Sequence, residues 1–383
     1  MQHGASHREH PRLSVFSRAL DRIRGDHLLQ ALLLLTLALA IFDPRPARDY
    51  LRWLDLPTLS GLTGLLVLTQ GVRASGHVQR FAMHLLASIH DARTLAYVLM
   101  LMAALLASVL TNDVALFLIV PLTLAIDRIA RIPRQRVVVF EALAVNAGAT
   151  FSPIGNPQNL YLWQHSQLTF FGYVAKLAPT GAVLLVVLLA TCRFAFPATP
   201  LQVNEQAVAT PRLNTPLLAG SLSLLALMVA ALEWGFAIPA ALLLLLAGLL
   251  FFRRVLARVD WFLLLTFAAM FTGLGHLAAL PLVQSHVGAL GWSDPRITYA
   301  GGIAVSQLIS NVPAAVLLQH YAPDATLLAS AVNVGGAGLM IGSLANLIAL
   351  RLEGSRGVGW RFHAWSIPYL LATAVLVALV VLR

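Results

Sequence analysis

Two fifteen-residue segments, one in each half of the chain, match each other without a gap. Residues 146–160 read NAGATFSPIGNPQNL and residues 333–347 read NVGGAGLMIGSLANL, and six of the fifteen positions are identical. Each copy follows a second polar interruption of apolar sequence, TND at Thr111–Asp113 and SNVP at Ser310–Pro313. Interrupted hydrophobic segments that recur in both halves predict a fold built from two internal repeats.

The composition places these repeats in a membrane. Hydrophobic residues make up 58% of the chain and charged residues 11%, whereas soluble domains carry about 25% charged residues. We therefore expect an all-α polytopic membrane protein surrounded by lipid bilayer. The net charge of +10 does not indicate nucleic acid as a partner, because the arginines lie at the ends of apolar runs. The single cysteine, Cys192, excludes a disulfide framework.

Apolar runs and the gaps between them divide the chain into two membrane halves. Residues 1–26 hold five arginines and no small-residue cleavage site, which predicts a cytoplasmic N-terminal tail and not a signal peptide. The first membrane half covers 27–192 and the second covers 216–383. The Pro-rich and weakly hydrophobic stretch 193–215 is the predicted linker between them.

Within each half, one apolar run is broken near its middle and another has an unwound centre. The broken runs cover 94–127 and 297–322, and the runs with an unwound centre cover 137–164 and 325–353. Arginines flank the first broken run on both sides, and arginine concentrates on the cytoplasmic side of membranes. Both ends of that run are therefore expected on one side. This predicts a re-entrant helical hairpin followed by a broken transmembrane helix in each half.

The arginine distribution predicts opposite orientations for the two halves. The stretch 276–324, which contains the second broken run, has Arg296 as its only arginine. Counted from a cytoplasmic N-terminus, this stretch lies outside, and so does the C-terminus. We therefore predict two inverted-topology repeats in the cell (inner) membrane, with 77–91 and 276–290 lying in the membrane interface.

The helix restarts at these breaks supply the candidate binding site. Each restarted helix presents unpaired N–H groups and roughly half a positive charge, which favours an anion, while loop carbonyls suit a small cation such as sodium. The expected substrate-binding residues are Thr111, Asn112, Asn156, Ser310, Asn311 and Ser343. Those expected in cation or proton coupling are Asp113, Gly155, Asn159, Gly342 and Asn346, with sodium expected at Asn112, Gly155, Asn311 and Gly342.

Asp113 is the only acidic residue inside the apolar part of either broken run. An ionisable group at membrane depth is a functional candidate, and three roles are open: proton carrier, cation ligand, or cap of its own helix. A carboxylate at this position repels a dicarboxylate unless it is protonated or paired with a cation.

Four stretches of the chain together resemble the ion transporter superfamily: TNDVALFLIVPL, NAGATFSPIGNPQNLYLW, SNVPAAVLL and NVGGAGLMIGSLANLIAL. Within it, the chain is most similar to citrate-transporter-like permeases and divalent anion/sodium symporters, which group with arsenite efflux permeases and sodium/proton antiporters. The resemblance implies substrate and sodium sites formed by two hairpin tips and two unwound loops, with an elevator movement against a dimerising scaffold. The implied tips are Thr111-Asn112-Asp113 and Ser310-Asn311-Val312, and the implied loops run through Gly155-Asn156-Pro157 and Gly342-Ser343.

The third position of each tip departs from the symporter motif, in which each tip reads Ser-Asn-Thr. Asp113 and Val312 stand where the symporters have threonine, so the dicarboxylate ligand set of that branch is incomplete here. Asp113 brings the chain nearer to the arsenite and antiporter branches.

These patterns favour a secondary active transporter that moves a small anionic solute, a di- or tricarboxylate or an inorganic oxyanion, coupled to sodium or protons. Arsenite or antimonite efflux and sodium/proton antiport by the same fold are the alternatives. A channel and a non-transporting receptor lie outside that class and also stay open. No nucleophile–base arrangement predicts an enzyme, no cofactor beyond the coupling ion is expected, and a homodimer follows from the resemblance alone.

Overall fold

The structure is a computed structural model that describes residues 27–77, 80, 89, 91–130, 132–201 and 213–383. The predicted tail 1–26, most of the predicted interfacial stretch 77–91 and the middle of the predicted linker lie outside these residues. The described part is helical apart from its connecting segments and one isolated bridge between Asp91 and Pro200. The all-α membrane fold predicted from composition is confirmed.

Eight described helices lie before residue 200 and ten after it. The first set comprises α1 His27–Phe42, α2 Ala47–Trp53, α3 Leu56–Ala74, α4 Ala92–Val109, α5 Asn112–Ala130, α6 Arg134–Ala149, α7 Pro157–Gln164 and α8 Phe170–Ala195. The second set comprises α9 Thr215–Glu233, α10 Ala237–Phe251, α11 Arg253–Leu256, α12 Trp261–Ala279, α13 Pro281–His286, α14 Pro295–Ile309, α15 Asn311–Leu318, α16 Ala325–Val334, α17 Leu344–Glu353 and α18 Val358–Val381.

Side-chain caps determine where many of these helices begin. An Asp, Asn, Ser or Thr immediately before a helix accepts a hydrogen bond from a backbone N–H of the first turn, which has no partner inside the helix. The caps of this kind are Asp55, Asp91, Asn156, Thr169, Asn214, Asp260, Asp294, Asp324 and Ser343.

Five described helices are long and apolar enough to span a membrane: α4, α8, α9, α12 and α18. Two further apolar helices are shorter: α1 has 16 described residues and α10 has 15, against the roughly 20 that a spanning helix needs. The short helix α2 was not predicted. The predicted interfacial stretch 276–290 contains the end of α12, the six-residue α13 and the 3-10 turn Gly288–Leu290.

The helices are interrupted at the polar positions of the sequence. The break between α4 and α5 lies at Leu110 and Thr111, and the break between α14 and α15 lies at Ser310. Residues 150–156 separate α6 from α7, and residues 335–343 separate α16 from α17 with one 3-10 turn between them. We name these last two stretches the first and second unwound segments. The re-entrant course of the paired helices and their inverted orientation stay predictions.

Two large apolar clusters form the interior, and neither is confined to one half of the sequence. The first cluster joins α4, α5 and α6 of the first half to α17 and α18 of the second. The second joins α7 and part of α8 to α12, α15 and α16. The two parts of the first broken helix, α6 and α7, therefore lie in different clusters, whereas α16 contributes to both clusters and α17 to the first. Because both clusters contain helices of both halves, the halves interlock.

An ion-pair group ties the start of α6 to the end of α17. Arg134 lies 3.1 Å from Glu353 and 3.5 Å from Asp127, measured between the guanidinium nitrogens and the carboxylate oxygens. The Gln135 side chain also donates to the hydroxyl of Ser355. These contacts place both helix ends at the same side of the molecule, as expected if the arginines around both are cytoplasmic.

Candidate functional site

The centre of the site is a pair of equivalent asparagines, Asn146 in the last turn of α6 and Asn333 in the last turn of α16. Asn146 is described first. Asn146 donates from Nδ2 to Oδ1 of Asn346 at 2.9 Å, and its Oδ1 accepts from the Ser343 hydroxyl at 3.1 Å. Both partners are about 200 residues away in the sequence, in the second unwound segment and the helix that follows it. Asn146 and Asn346 are buried, so these bonds are formed away from water and link the two halves directly.

The same bonds recur in the opposite direction. Asn333 donates from Nδ2 to Oδ1 of Asn159 at 2.6 Å, and its Oδ1 accepts from Nδ2 of Asn156 at 2.9 Å. In the gapless match of the two fifteen-residue segments, Asn333 is the counterpart of Asn146. Asn156 and Asn159 are likewise the counterparts of Ser343 and Asn346. The same three positions therefore bond across the halves in both directions, and we call these six residues the inter-half network.

The network also satisfies backbone carbonyls that the unwound segments leave without helical partners. Asn159 donates to the carbonyl oxygens of Ala149 and Ser152, both at 3.1 Å. Asn346 donates to the carbonyl oxygen of Gly336 at 2.8 Å, and Gly336 is the counterpart of Ala149. Non-helical backbone at membrane depth is tolerated only where such groups are bonded or line a cavity. The asparagines thus make the breaks possible.

The two restarted helices begin on side-chain caps. Asn156 accepts from the backbone N–H of Asn159 at 2.8 Å, and Pro157 occupies the first helical position, where no N–H is needed. Ser343 accepts from the N–H of Ala345 at 3.3 Å. Asn156 and Ser343, which the sequence predicted as substrate-binding residues, therefore each form two kinds of hydrogen bond: one caps a helix and the other belongs to the inter-half network.

Glycines let each broken run approach the adjacent unwound segment. A Cβ added to Gly148 would overlap the carbonyl oxygen of Ala104 on α4, and one added to Gly155 would lie 2.9 Å from that of Ala107 on the same helix. The counterpart Gly335 packs in the same way, since its Cβ would lie 2.6 Å from Cβ of Ser306 on α14. Only glycine allows such close approaches.

The first tip, Thr111-Asn112-Asp113, is tied to the first unwound segment. The backbone N–H of Asn112 donates to the carbonyl oxygen of Gly155 at 2.8 Å, and the Asn112 side chain accepts from the N–H of Asp113 at 2.9 Å. All three tip residues are buried. The structure therefore brings together the predicted residues Asn112, Asp113 and Gly155.

The second tip, Ser310-Asn311-Val312, lies against the second unwound segment. Nδ2 of Asn311 is 3.0 Å from where a Cβ of Gly336 would stand. Gln307 on α14 reinforces this contact, because it donates to the carbonyl oxygens of Gly335 and Ala337 and accepts from the N–H of Leu339. The predicted Gly342 lies within the same segment, where the carbonyl oxygen of Gly335 is 2.8 Å from its Cβ position.

Three polar atoms at the two tips are buried and have no hydrogen-bond partner among the described residues. They are the hydroxyl oxygens of Thr111 and Ser310, which occupy the same place in the two tips, and Oδ1 of Asn311. Oε1 of Gln158, beside the network, is in the same condition. Buried polar groups in native proteins are nearly always paired. The hydroxyls of Thr111 and Ser310 are the two of these atoms that stand at equivalent positions of the tips.

Asp113 lies in the first turn of α5, one residue after the helix begins. Its carboxylate accepts no hydrogen bond from a described residue, so it does not cap the helix through an N–H group, and the first helical N–H of this region goes to Gly155 instead. The roles that stay open for Asp113 are proton carriage, cation binding and interaction with the helix dipole.

Besides Gln158, four residues of this region were not among the predicted site residues. Asn146 and Asn333 occupy the same position of the two matching segments and are identical. This identity was the sequence feature that could have indicated them as site residues. Glu141 on α6 is fully buried and accepts from the Thr123 hydroxyl, and an acid within an apolar run was a signal that applied to it as well. No feature of the sequence distinguished Gln307 from other polar residues in apolar surroundings.

Comparison with known proteins identifies the family. The citrate transporter family, CitMHS, matches residues 26–326. Inner membrane protein YbiR of Escherichia coli (strain K12) is 42% identical over 361 residues, which cover 93% of this chain and 95% of that protein. Uncharacterized transporter MJ0456 of Methanocaldococcus jannaschii is 29% identical over 349 residues, covering 90% and 94%.

A further relative matches over a shorter region. Silicon efflux transporter LSI3 of Oryza sativa subsp. japonica is 26% identical over 139 residues, which cover 36% of this chain and 29% of that protein. The family match spans most of the chain and includes both broken runs, and the full-length relative YbiR is an inner membrane protein. The chain is therefore a membrane transporter and belongs to the citrate transporter family.

Proposed function

We propose that this transporter moves a small anion, with a carboxylate such as citrate as the first candidate, through a site formed by the two tips and the two unwound segments. The observation that carries the proposal is the set of unpaired buried atoms at the tips, Thr111 Oγ1, Ser310 Oγ and Asn311 Oδ1. Hydroxyl groups donate to the oxygens of an anion, and the N-termini of α5 and α15, which begin beside these hydroxyls, favour negative charge.

The coupling ion is proposed to bind beside the substrate. Amide and backbone carbonyl oxygens, such as those of Asn311 and Gly155, are ligands that sodium accepts in transporters with broken helices. Asp113 adds a carboxylate at the first tip, which binds a cation or carries a proton. A cation or proton at Asp113 also removes the repulsion between that carboxylate and an anionic substrate.

The transport movement is proposed to be of the elevator type, in which tips and unwound segments move together against a scaffold that dimerises. The interlocking of the halves around the inter-half network supports movement as one unit, because its buried hydrogen bonds would have to break for the segments to separate. A cytoplasmic N-terminus and an external C-terminus in the inner membrane belong to the same proposal.

Efflux of an uncharged metalloid acid such as arsenite is the second candidate. Two observations favour it over sodium/proton antiport: part of the chain matches a silicon efflux transporter, and the atoms left unpaired at the tips belong to uncharged side chains. A neutral solute does not require the positive electrostatics that a tricarboxylate requires, and Asp113 does not repel it.

Uptake into proteoliposomes tests the proposal. Purified protein is reconstituted, and labelled citrate uptake is measured under an imposed sodium gradient, an imposed pH gradient, or neither. Citrate accumulation that depends on one of the gradients is the expected result. Flux of arsenite without flux of citrate would favour the second candidate, unitary currents in a planar bilayer would favour a channel, and binding without any flux would favour a receptor.

A further inference from the structure

A second acidic group, separate from Asp113, is enclosed within the membrane part of the fold. Glu141 lies on α6 and is fully buried, in a helix whose residues from Val137 to Ala149 are all buried. Its Oε1 accepts from the hydroxyl of Thr123 on α5. Its Oε2 has no partner among the described residues and is shielded from solvent. The site proposed above does not use this carboxyl group.

The surroundings of Glu141 determine which form it takes. Five helices pack against α6, namely α4, α5, α8, α17 and α18, and the residues next to Glu141 belong to the first apolar cluster. An ionised carboxylate held among apolar side chains with one bare oxygen is strongly disfavoured relative to the neutral acid. Because Oε1 accepts from Thr123, the proton of the neutral acid belongs on Oε2.

Among the described residues, none of the titratable groups on the surrounding helices hydrogen-bonds to Glu141 or forms an ion pair with it. Three of them contribute to or pack against the same cluster, namely Tyr97 of α4, Cys192 of α8 and Tyr369 of α18; the two tyrosines donate to the carbonyl oxygens of Leu189 and Leu184. The remaining acids and bases of these helices with a described partner are Arg93, Asp127, Arg134, Arg136, Glu353 and His363. Asp113, at the opposite end of α5 from Asp127, belongs to the first tip.

The position of Glu141 along α6 connects the solvent side to the network. It lies seven residues after Arg134 and five residues before Asn146, which correspond to about 10 Å and about 7.5 Å along a helix at 1.5 Å per residue. Its partner Thr123 lies on α5, the helix that begins at the first tip. Glu141 therefore lies inside the unit that contains the proposed site, between the charged helix end and the inter-half network.

We propose that Glu141 is a proton-binding site of the transport cycle, which holds a proton on Oε2 in the conformation described here and releases it where Oε2 meets water. The step is a simple exchange in which the O–H bond breaks, the proton passes to water, and the carboxylate retains the electron pair and the hydrogen bond from Thr123. The proposal rests on the proposed transport function for its coupling role, but proton binding by Glu141 does not depend on the identity of the substrate.

Glu141→Gln tests this assignment, because glutamine keeps the size and the acceptor for Thr123 but holds no exchangeable acid proton. The matched control is Glu233→Gln, the same substitution at an exposed residue at the end of α9. In proteoliposomes, Glu141→Gln should lose citrate accumulation driven by a pH gradient and retain citrate counterflow, which requires no net driving ion. The control should retain both. The proposal would be overturned if a pH gradient drove equal citrate accumulation in the wild type and in Glu141→Gln. It would also be overturned if the wild type transported citrate without any response to the pH gradient.

Infrared difference spectroscopy gives an outcome that does not require transport. The wild-type minus Glu141→Gln spectrum at neutral pH should contain the C=O band of a protonated carboxylic acid, whereas a carboxylate band in its place would overturn the proposal. If the wild type moves no citrate, the transport proposal fails while the spectrum still decides the protonation of Glu141. If Glu141→Gln does not fold, Thr123→Val is the alternative, because it keeps the carboxyl group and removes the hydrogen bond to it. Thr123→Val should change the pH dependence of citrate uptake and of the carboxylic acid band. An unchanged pH dependence of both would contradict the assignment.

Discussion

The two tips occupy equivalent places in the two halves, yet they are held differently. The first tip is fixed by the hydrogen bond from the Asn112 N–H to the Gly155 carbonyl oxygen at 2.8 Å. At the second tip, Ser310 has φ 75° and ψ 155°, a backbone conformation found almost only at glycine, and Oδ1 of Asn311 has no described partner. The comparison teaches that the first tip is held by a backbone hydrogen bond, whereas the second keeps a strained backbone and an unpaired side-chain oxygen.

The tips also differ in chemistry at their third position. Asp113 of the first tip is replaced by Val312 in the second, so an ionisable group is present at one tip alone. Both tips keep a hydroxyl residue and an asparagine in the first two positions. In the proposed function the shared hydroxyls serve the substrate, and the unshared carboxylate serves the coupling ion.

The largest expected effect comes from removing the charge that distinguishes the tips. Asp113→Asn should bind citrate but lose the response of uptake to the sodium or pH gradient that drives the wild type, because an amide neither carries a proton nor supplies a full negative charge to a cation. Uptake under each gradient in proteoliposomes measures this, with Asp49→Asn on α2 as the control. A variant that keeps the wild-type gradient dependence would leave Asp113 with a helix-dipole role only.

A smaller effect is expected from the asparagines of the two tips. Asn311→Ala should weaken sodium-dependent citrate binding about tenfold, equivalent to about 1.4 kcal/mol, since it removes a buried acceptor that has only the bound ion or substrate as its partner. Asn112→Ala should weaken binding less, because its backbone bond to Gly155 persists. Titration calorimetry on both variants gives the comparison. Equal losses would show that the tips contribute alike, and normal binding in both would remove them from the site.

The smallest effect concerns the strain at the second tip. Ser310→Gly should stabilise the ligand-free protein by about 1 kcal/mol, because glycine adopts positive φ without steric cost. Thr111, which is not among the non-glycine residues with positive φ, offers the matched change: Thr111→Gly should destabilise by about 0.5–1 kcal/mol through added chain entropy. Thermal unfolding in detergent without ligand measures both. Destabilisation by both glycines would contradict the difference between the tips.

Much of the fold was readable from the sequence because its breaks carry their own local signals. The sequence predicted helix starts after Asn156, which is followed by Pro157, and after Ser343. The structure has side-chain caps at both positions. The all-α membrane class also followed from composition. The short helix α2 escaped prediction because seven residues carry too little periodicity to distinguish them from a loop.

The partners inside the site were less accessible to sequence reasoning. Asn146 bonds to Asn346 and Asn333 bonds to Asn159 only because the halves interlock, and a separation of about 200 residues leaves no local pattern. The repeat showed which positions correspond but not that each position binds the other copy. Glu141, in contrast, could be recognised in the sequence as an acid within an apolar run. Its burial and its unpaired oxygen, however, are properties of the packed structure.

The most direct test of the central claim, that the paired tips form an ion-coupled anion site, is the thermal stability of the purified protein with citrate in the presence and absence of sodium, at pH 6 to 8. At 100 times its dissociation constant a ligand adds about 2.7 kcal/mol of stability. The account predicts stabilisation by citrate that depends on sodium or on pH in the wild type and is largely lost in Asn311→Ala. Stabilisation by citrate that is the same in Asn311→Ala, Ser310→Ala and the wild type would place the binding site elsewhere and contradict it.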